Sequence, residues 1–383
     1  MSHPTVGRAQ DEGRDRALVE KRVLLLRYHS LGDVILTTGV ARAVAAAAGA
    51  SGERCRLEVA TEPRFRPVFD GLEWIDRVWN RSQVERAVRG LAEVDGGEVP
   101  GPVPFYDQVI DLQGTPGSRR LSRRLGPSTH LRSRALQRRW LVFWGDRFPR
   151  PRIPHVLERY AEVAGLVEDP GRPSLRPEVR VTSEEARECD RMIPAALAQP
   201  PGSAVVCVAG ASRRSKEYPR LQLERVAALL ERAGRTVWWV EAPDAVALPA
   251  ERAAAAEGAA PGPTRLVARL PLGPLKALLS RAALVIASDS GPMHLASAAG
   301  TPVLALFGSS APAFGFTPSG ARDRVLAVEE LACRPCGVHG RDRCWLGHWR
   351  CLRDLRPARV AEEALEMLRV RESGSDGDEA GGA

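Results

Sequence analysis

The sequence predicts an α/β fold built from two parallel sheets covered by helices, and three observations carry that prediction. Short apolar, β-rich runs alternate with longer runs of helical period, the βαβ rhythm. The rhythm slows once, in a proline-studded region at 148–180, and then restarts. At about 150 residues per domain, the 383-residue chain has room for two or three domains.

The elements follow in order. "VLLLRY" (23–28) reads as a buried strand, and "DVILTTGVARAVAAAAG" as a helix stopped by Gly49. "CRLEVAT" (55–61), "WIDRVW" (74–79) and "YDQVIDLQG" (106–114) read as further strands, and the Gly- and Pro-rich 91–104 as a surface loop. "HVLERYAEVAGL" is one helix within the proline-studded stretch. The second half repeats the alternation. "AVVCVAG" (204–210), "TVWWVEA", "ALVIASDSG" and "TPVLALFG" are strands; "LQLERVAALLERAG", ended by Gly234, "PLGPLKALLSRA" and "PMHLASAAG" are helices. These patterns divide the chain into a flexible N-terminus (1–21), a first domain (22–175), a second domain (176–370) and a disordered polar tail (371–383).

Composition narrows the class. Hydrophobic residues make up 44% and charged residues 27%, as in soluble globular chains. No apolar run looks long enough for the roughly 18–20 residues of a membrane-spanning helix, and the N-terminus lacks the apolar segment of a signal peptide, so a cytoplasmic protein is expected. The net charge of +8 is carried mostly by arginine, clustered at 119–124, 132–139 and 147–152. Such clusters suit polyanions or an anionic membrane surface, and equally suit solvated faces. Aromatics are only 5% of the chain, which argues against stacking platforms and hence against a nucleic-acid partner.

Four segments carry unusual residues. In "RYHSLGDVIL" (27–36), Ser30, Gly32 and Asp33 stand between a strand and a helix. Asp33 there suits either a helix N-cap or a base taking a proton from an attacking hydroxyl. In "VAGASRRSKEYP" (208–219), Ser212 and Lys216 follow a strand, as an anion-binding loop or a solvated basic one. In "SDSGPMHLASAAG", Asp289, Ser290 and Gly291 lead into a helix with Pro292 in its first turn, and His294 shares that turn; the free N–H groups there form an anion site. The fourth is Cys333, Cys336, Cys344 and Cys351, spaced C-x2-C-x7-C-x6-C. Four thiolates suit a structural Zn or Fe, and the competing reading is free or redox-active thiols; His339 and His348 are spare ligands.

With those residues in view, the chain resembles glycosyltransferase family 9, the ADP-heptose:lipopolysaccharide heptosyltransferases. The likeness runs over about 22–368: "LLLRYHSLGDVILTTGVARAV" resembles the N-terminal signature, "YDQVIDLQG" the midpoint motif, and "SDSGPMHLASAAGTPVLALFGSSAP" the donor-site signature. The cysteine segment (333–351) and a last helix resemble the end of many members. The resemblance implies a GT-B fold, two Rossmann-like domains facing across a cleft, with the last helix returning to the first domain. It implies an inverting transfer from a nucleotide sugar to a glycan or lipid-linked glycan, with no cofactor required for catalysis. The acceptor would sit on the first domain, beside Ser30 and Gly32, and the nucleotide sugar on the second. Asp33 matches the general base, Lys216 the lysine on the donor phosphate, and Ser212 a phosphate-binding hydroxyl. Asp289, Ser290, Gly291 and His294 match donor contacts. Tyr218 replaces a frequent tryptophan. Glu241 and Ala245 depart from a glycine-rich, acidic turn that holds the nucleotide ribose, so Asp244 is the candidate to substitute there. The expected location is the cytoplasm, with peripheral contact at the inner face of the cytoplasmic membrane.

Competing readings remain at this point: a sugar-nucleotide epimerase or hydrolase of the same fold, a basic nucleic-acid binder built on the cysteine segment, and a binding protein without turnover.

Overall fold

In the computed structural model, residues 20–50, 54–89, 105–144, 153–166, 174–193, 200–241, 267–329, 331–337 and 339–375 are described. The first sheet holds β1 (Glu20–Leu26), β2 (Arg54–Thr61), β3 (Arg77–Asn80), β4 (Gln108–Asp111) and β5 (Ser128–His130), in the order β3-β2-β1-β4-β5. The second holds β6 (Ala204–Ala209), β7 (Thr236–Glu241), β8 (Val267–Arg269), β9 (Leu284–Ser288), β10 (Val303–Phe307) and β11 (Arg324–Ala327), in the order β8-β7-β6-β9-β10-β11. All the described pairings are parallel. Helices cover both faces, which is why the central strands read as unbroken apolar runs. Each sheet begins at a central strand, builds one edge and then the other. The order therefore reverses between β1 and β4 in one sheet and between β6 and β9 in the other. Ligands of such sheets bind outside the strand carboxyl ends at that reversal.

Helix α1 (Leu31–Ala50) follows β1, and the first half continues with α2 (Arg81–Val88), α3 (Pro116–Leu125), α4 (Ala135–Trp144) and α5 (Val156–Ala164). The second half carries α6 (Ser183–Met192), α7 (Arg220–Arg232), α8 (Leu272–Ser280), α9 (Gly291–Ala298), a short α10 (Arg350–Arg353) and α11 (Pro357–Ser375). Local chemistry sets several ends. Thr115 and Ser118 form a reciprocal capping box on α3, and Gly165, in the left-handed region, closes α5.

The two halves share one apolar core. It runs from Val23 and Leu25 of β1 through Val34 and Val40 of α1 to Met293 and Leu295 of α9 and Val206 and Val285 of the second sheet. At its margin Lys276, fully buried on α8, donates to the Pro67 carbonyl at 2.6 Å and pairs with Glu185 at 2.8 Å. Burial pushes this amine below its ordinary range, and Glu185 opposes the shift.

Several expectations need correction. Helix α1 is 20 residues long and, by length and composition alone, apolar enough to cross a membrane. Its apolar surface is instead covered by protein, with 61% of the most apolar window buried. Gly49 does not stop it, because the helix runs on through Ala50. The strand expected from Trp74 starts only at Arg77, since Leu72–Ile75 makes a turn and the Asp76 carboxylate accepts the Leu57 N–H at 2.7 Å. The last helix does not return to the first domain. Val360, Ala364 and Leu368 bury against Val226 and Leu230 of α7 instead. It also extends through Ser375, so 371–375 are helical rather than part of a disordered tail; Arg371 donates to the Gly202 carbonyl at 3.1 Å. Residues 20 and 21, expected to be flexible, belong to β1. The expectations for 1–19, 91–104 and 376–383 lie outside the described residues.

Candidate active site

Both topological reversals open onto one place. Asp33 follows β1 directly, on the first turn of α1, and Lys216 and Asp289 follow β6 and β9. The turn leading to Asp33 is tight because Ser30 takes φ +73°, a left-handed conformation that serine adopts at a cost of about 1–3 kcal/mol. Two side chains hold it there. The Gln113 amide oxygen accepts the Tyr28 and His29 N–H groups at 3.1 and 3.3 Å. Arg27 donates to the Leu112 and His29 carbonyls at 2.6 and 3.2 Å. The "DLQG" run thus fixes the turn that carries the acid.

Asp33 is not the N-cap. The cap position falls on Ser30, whose carbonyl accepts the Val34 N–H at 3.0 Å. The Asp33 carboxylate instead pairs with Arg27 at 2.6 Å and accepts the Tyr160 hydroxyl at 2.9 Å. A carboxylate has about four lone-pair sites, so two partners orient it and leave it able to accept another proton. Tyr160 is buried on α5, and burial pushes its phenol far above the usual range, keeping it a hydroxyl donor.

Facing it, the Lys216 ammonium pairs with Asp289 at 2.8 Å, and Ser310 donates to the same oxygen at 2.6 Å. Ser290 caps α9 only in position, because its hydroxyl turns back to the Ser288 carbonyl at 3.0 Å. The first-turn N–H groups of α9 are left without a side-chain cap, the arrangement that attracts anions. His294 is 6% exposed and its imidazole is pushed down to about 4, by burial first, with His155 and Lys216 adding and Asp289 and Asp33 opposing. It is neutral at neutral pH.

The contact between the halves is direct. A Cβ on Gly32 would lie 2.6 Å from Cδ2 of His294, and one on Gly291 would lie 2.5 Å from Cδ2 of Leu31. Of the residues singled out from sequence, Ser30, Gly32, Asp33, Lys216, Asp289, Ser290, Gly291 and His294 converge on this gap. Ser212 lies exposed on the Lys216 loop and makes no hydrogen bond to protein among the described residues. Asp244 lies outside the described residues. Glu241 is taken by Arg220 at 2.6 Å, and Tyr218 is buried with its hydroxyl on the Leu355 carbonyl at 2.7 Å.

Sequence reasoning missed Arg27, Tyr160, Arg138 and Ser310. Arg138 of α4 stacks over Phe316 at 5.0 Å, and its Nε and Nη2 are buried without partners. Burial, then Arg159, push its guanidinium below the ordinary value, while Asp33 and Tyr160 oppose. One signal was legible and unused: only three of the 55 basic residues are lysines, at 21, 216 and 276.

The four cysteines are all free thiols. Burial, then the neighbouring cysteine sulfurs, push Cys336 up, and burial and the same neighbours push Cys351 up to about 11. Burial also acts upward on Cys344, but N–H groups of Trp349, Leu346, His348 and Gly347 aimed at its sulfur bring it below the ordinary value. Cys333 lies 3.9 Å from Nε2 of His348. The donor set is chemically that of a thiophilic cation. Yet among the described residues no three potential ligands converge, so the expected four-cysteine cage is not formed.

Comparison with known proteins now decides the family. The sequence pattern of glycosyltransferase family 9 (heptosyltransferase) matches residues 104–344. The chain belongs to glycosyltransferase family 9. As a family member it is 28% identical to lipopolysaccharide heptosyltransferase 1 of Pseudomonas aeruginosa, over 82% of this chain and 86% of that one. Its fold is shared with a family 9 glycosyltransferase from Veillonella parvula (TM-score 0.68, 20% identity, 91% of this chain and 97% of that one). It is shared also with the E. coli ADP-heptose LPS heptosyltransferase II (TM-score 0.63, 19% identity, 92% and 99%). The GT-B expectation therefore holds, and the protein is a glycosyltransferase.

Proposed function

We propose that this glycosyltransferase moves a heptose from ADP-heptose to a hydroxyl of an anionic glycan of the lipopolysaccharide-core class, inverting the anomeric centre. The observation that carries the reading is the meeting of an oriented carboxylate, Asp33, with the Lys216–Asp289 pair and the uncapped start of α9 across the Gly32–His294 contact. The first domain (22–175) takes the acceptor and the second (176–370) the donor. The nucleotide assignment leans on relatives, among them the E. coli heptosyltransferase WaaC, solved with ADP.

Asp33 takes the proton of the acceptor hydroxyl while Arg27 and Tyr160 hold its orientation. The acceptor oxygen bonds to the anomeric carbon as the bond from that carbon to the phosphate oxygen breaks. The nucleoside diphosphate leaves with the electron pair. Lys216, one of whose three N–H donors is on Asp289, and the N–H groups of α9 receive the growing charge. Ser212 and His294 complete the donor side, Ser30 and Gly32 the acceptor side, and Asp244 the ribose.

The acceptor's anionic groups have a matching surface. A pocket of about 480 Å³ on the first domain is lined by Arg119, Arg132, Arg134 and Arg159, with Glu162 as its acid. None of the four arginines has an ion-pair partner among the described residues, and the Arg119 Nε is buried without one. The same basic face would hold the enzyme to the cytoplasmic side of an anionic membrane. A structural Fe or Zn on Cys333, Cys336, Cys344 and Cys351 would have to draw the segment together, because no three of these ligands converge as it stands. A protein of shared fold, the glycosyltransferase TibC of enterotoxigenic E. coli, is iron-containing, which supports that reading. Metal analysis of purified protein checks it.

The deciding experiment incubates the enzyme with ADP-heptose and a deacylated core acceptor and reads the acceptor mass. A gain of one heptose, lost in Asp33→Asn, supports the proposal. An epimerised donor with no transfer would replace it with the epimerase reading.

A further inference from the structure

The residue before Lys216 is held by a segment far along the chain. Ser215 is 2% exposed. Its N–H donates to the Arg341 carbonyl at 2.9 Å, and its hydroxyl accepts the Arg341 N–H at 2.6 Å. The same hydroxyl lies 2.7 Å from that of Ser309, and the Ser215 carbonyl accepts the Ser309 N–H at 3.1 Å. The Ser309 carbonyl in turn accepts the Cys336 N–H at 3.1 Å. Arg341 therefore clamps Ser215 from one side, and Ser309, just after β10, clamps it from the other.

Gly340 completes the clamp. It stands at φ +75°, and a Cβ there would sit 3.0 Å from Cγ of Lys216, 3.0 Å from Cβ of Arg213 and 3.2 Å from the Ser215 hydroxyl. The Gly340 backbone is thus the wall along which the Lys216 stem runs, while Asp289 ties its ammonium at the far end. The lysine side chain is only 14% exposed. The exposed Arg213–Asp342 pair at 2.9 Å adds little to this.

We propose that the cysteine-rich segment braces the donor lysine: Ser215 and Gly340 are positioning residues that set where the Lys216 ammonium stands. No part of the segment need touch the sugar or its phosphates. A Cβ at position 340 meets the Lys216 stem, the most yielding of its neighbours, so an added methyl moves the ammonium before it moves the backbone. The inference rests on Lys216 as the lysine of the donor diphosphate.

The scarcity of lysine makes the test direct, because Lys21, Lys216 and Lys276 give three separable peptides. Ligand-free protein is acetylated with a limiting amine-reactive ester, and mass spectrometry gives the rate at Lys216 relative to Lys21. The variants are Gly340→Ala, Ser215→Ala and, as a strain-matched control, Gly234→Ala. Gly234 has φ +77° with nothing within 4 Å of its added Cβ. Expected is a threefold or greater rise in Lys216 labelling and a tenfold loss of ADP affinity by calorimetry in Gly340→Ala. Ser215→Ala shows the same trend, and Gly234→Ala moves neither reading. Unchanged Lys216 labelling in both site variants, or an equal rise in Gly234→Ala, overturns the brace. If Gly340→Ala does not fold, Ser215→Ala alone decides. Should labelling respond while ADP fails to bind even the wild type, the brace stands and the donor assignment falls.

Discussion

The imidazole of His294 gives the sharpest quantitative expectation. It is buried at the interdomain contact and pushed from 6.5 down to about 4. Between those values the unfolded chain holds a proton that the folded protein does not. Stability therefore rises with pH across the window: the contribution is whole above about 6.5 and is lost as pH falls toward about 4. At about 1.36 kcal/mol per pH unit the full span is on the order of 3 kcal/mol, and acidifying from pH 7.5 to 4.5 realises about 2.5 kcal/mol of it. The perturbation is His294→Asn, which removes the titration and keeps much of the volume. Urea unfolding of both proteins at several pH values between 4.5 and 7.5 gives the difference curve, in which the carboxylates common to both cancel. The wild type should lose about 2.5 kcal/mol more than the variant on acidification. Parallel curves would show that burial does not keep the ring neutral. A wild type that loses less than the variant would mean that Asp33 and Asp289 hold His294 as a cation, reversing the sign of the reasoning.

Other expectations follow from single contacts. Asp33→Asn should lower kcat about 10²–10⁴-fold, with ADP affinity by calorimetry within about threefold of wild type. Gly32→Ala places a methyl 2.6 Å from the His294 ring, and overpacking of this kind destabilises by about 1–3 kcal/mol; urea unfolding should show that loss together with reduced kcat/KM. Gly49→Ala, in the same helix with nothing within 4 Å, should instead stabilise by about 0.5–1 kcal/mol. Glu58, 1% exposed, accepts Tyr106 Oη–H at 2.7 Å and Trp79 Nε1–H at 2.5 Å, so Glu58→Ala should cost about 2–4 kcal/mol in thermal or urea unfolding.

What was legible in the sequence is what repeats locally. Strands showed as apolar runs because helices cover both faces of the sheets, and Asp33, Lys216 and Asp289 stood out because each interrupts such a run at its carboxyl end. Partners brought in by packing were invisible. Tyr160 reaches Asp33 across 127 positions, and within α5 it reads as one more residue of a buried face. Arg27 read as part of a buried strand, though β1 ends at Leu26 and the Arg27 guanidinium spans the turn. The cysteine segment was legible as a ligand pattern, but its hydrogen bonds to Ser215 run through backbone groups that every sequence possesses. Helix α11 was legible as a helix. Which half it joins was decided by the apolar face of α7, and an amphipathic stripe alone does not name its partner.

The gap between the two halves owes its narrowness to a reciprocal arrangement. Helices α1 and α9 each follow the strand beside the reversal of their own sheet, so each points its first turn, with its positive dipole end, at the same space. Each also carries a glycine in that turn, and each glycine receives a side chain from the other helix: His294 against Gly32, Leu31 against Gly291. A β-carbon at either position would push the helices apart, and with them Asp33 from the Lys216–Asp289 pair. Proximity of the two chemistries is therefore set by atoms that are missing rather than by an attractive contact. The same geometry explains why Asp33 needs Arg27 and Tyr160. Only side chains from its own domain aim that carboxylate, Arg27 at 2.6 Å and Tyr160 at 2.9 Å, because the facing helix offers at that point a neutral imidazole.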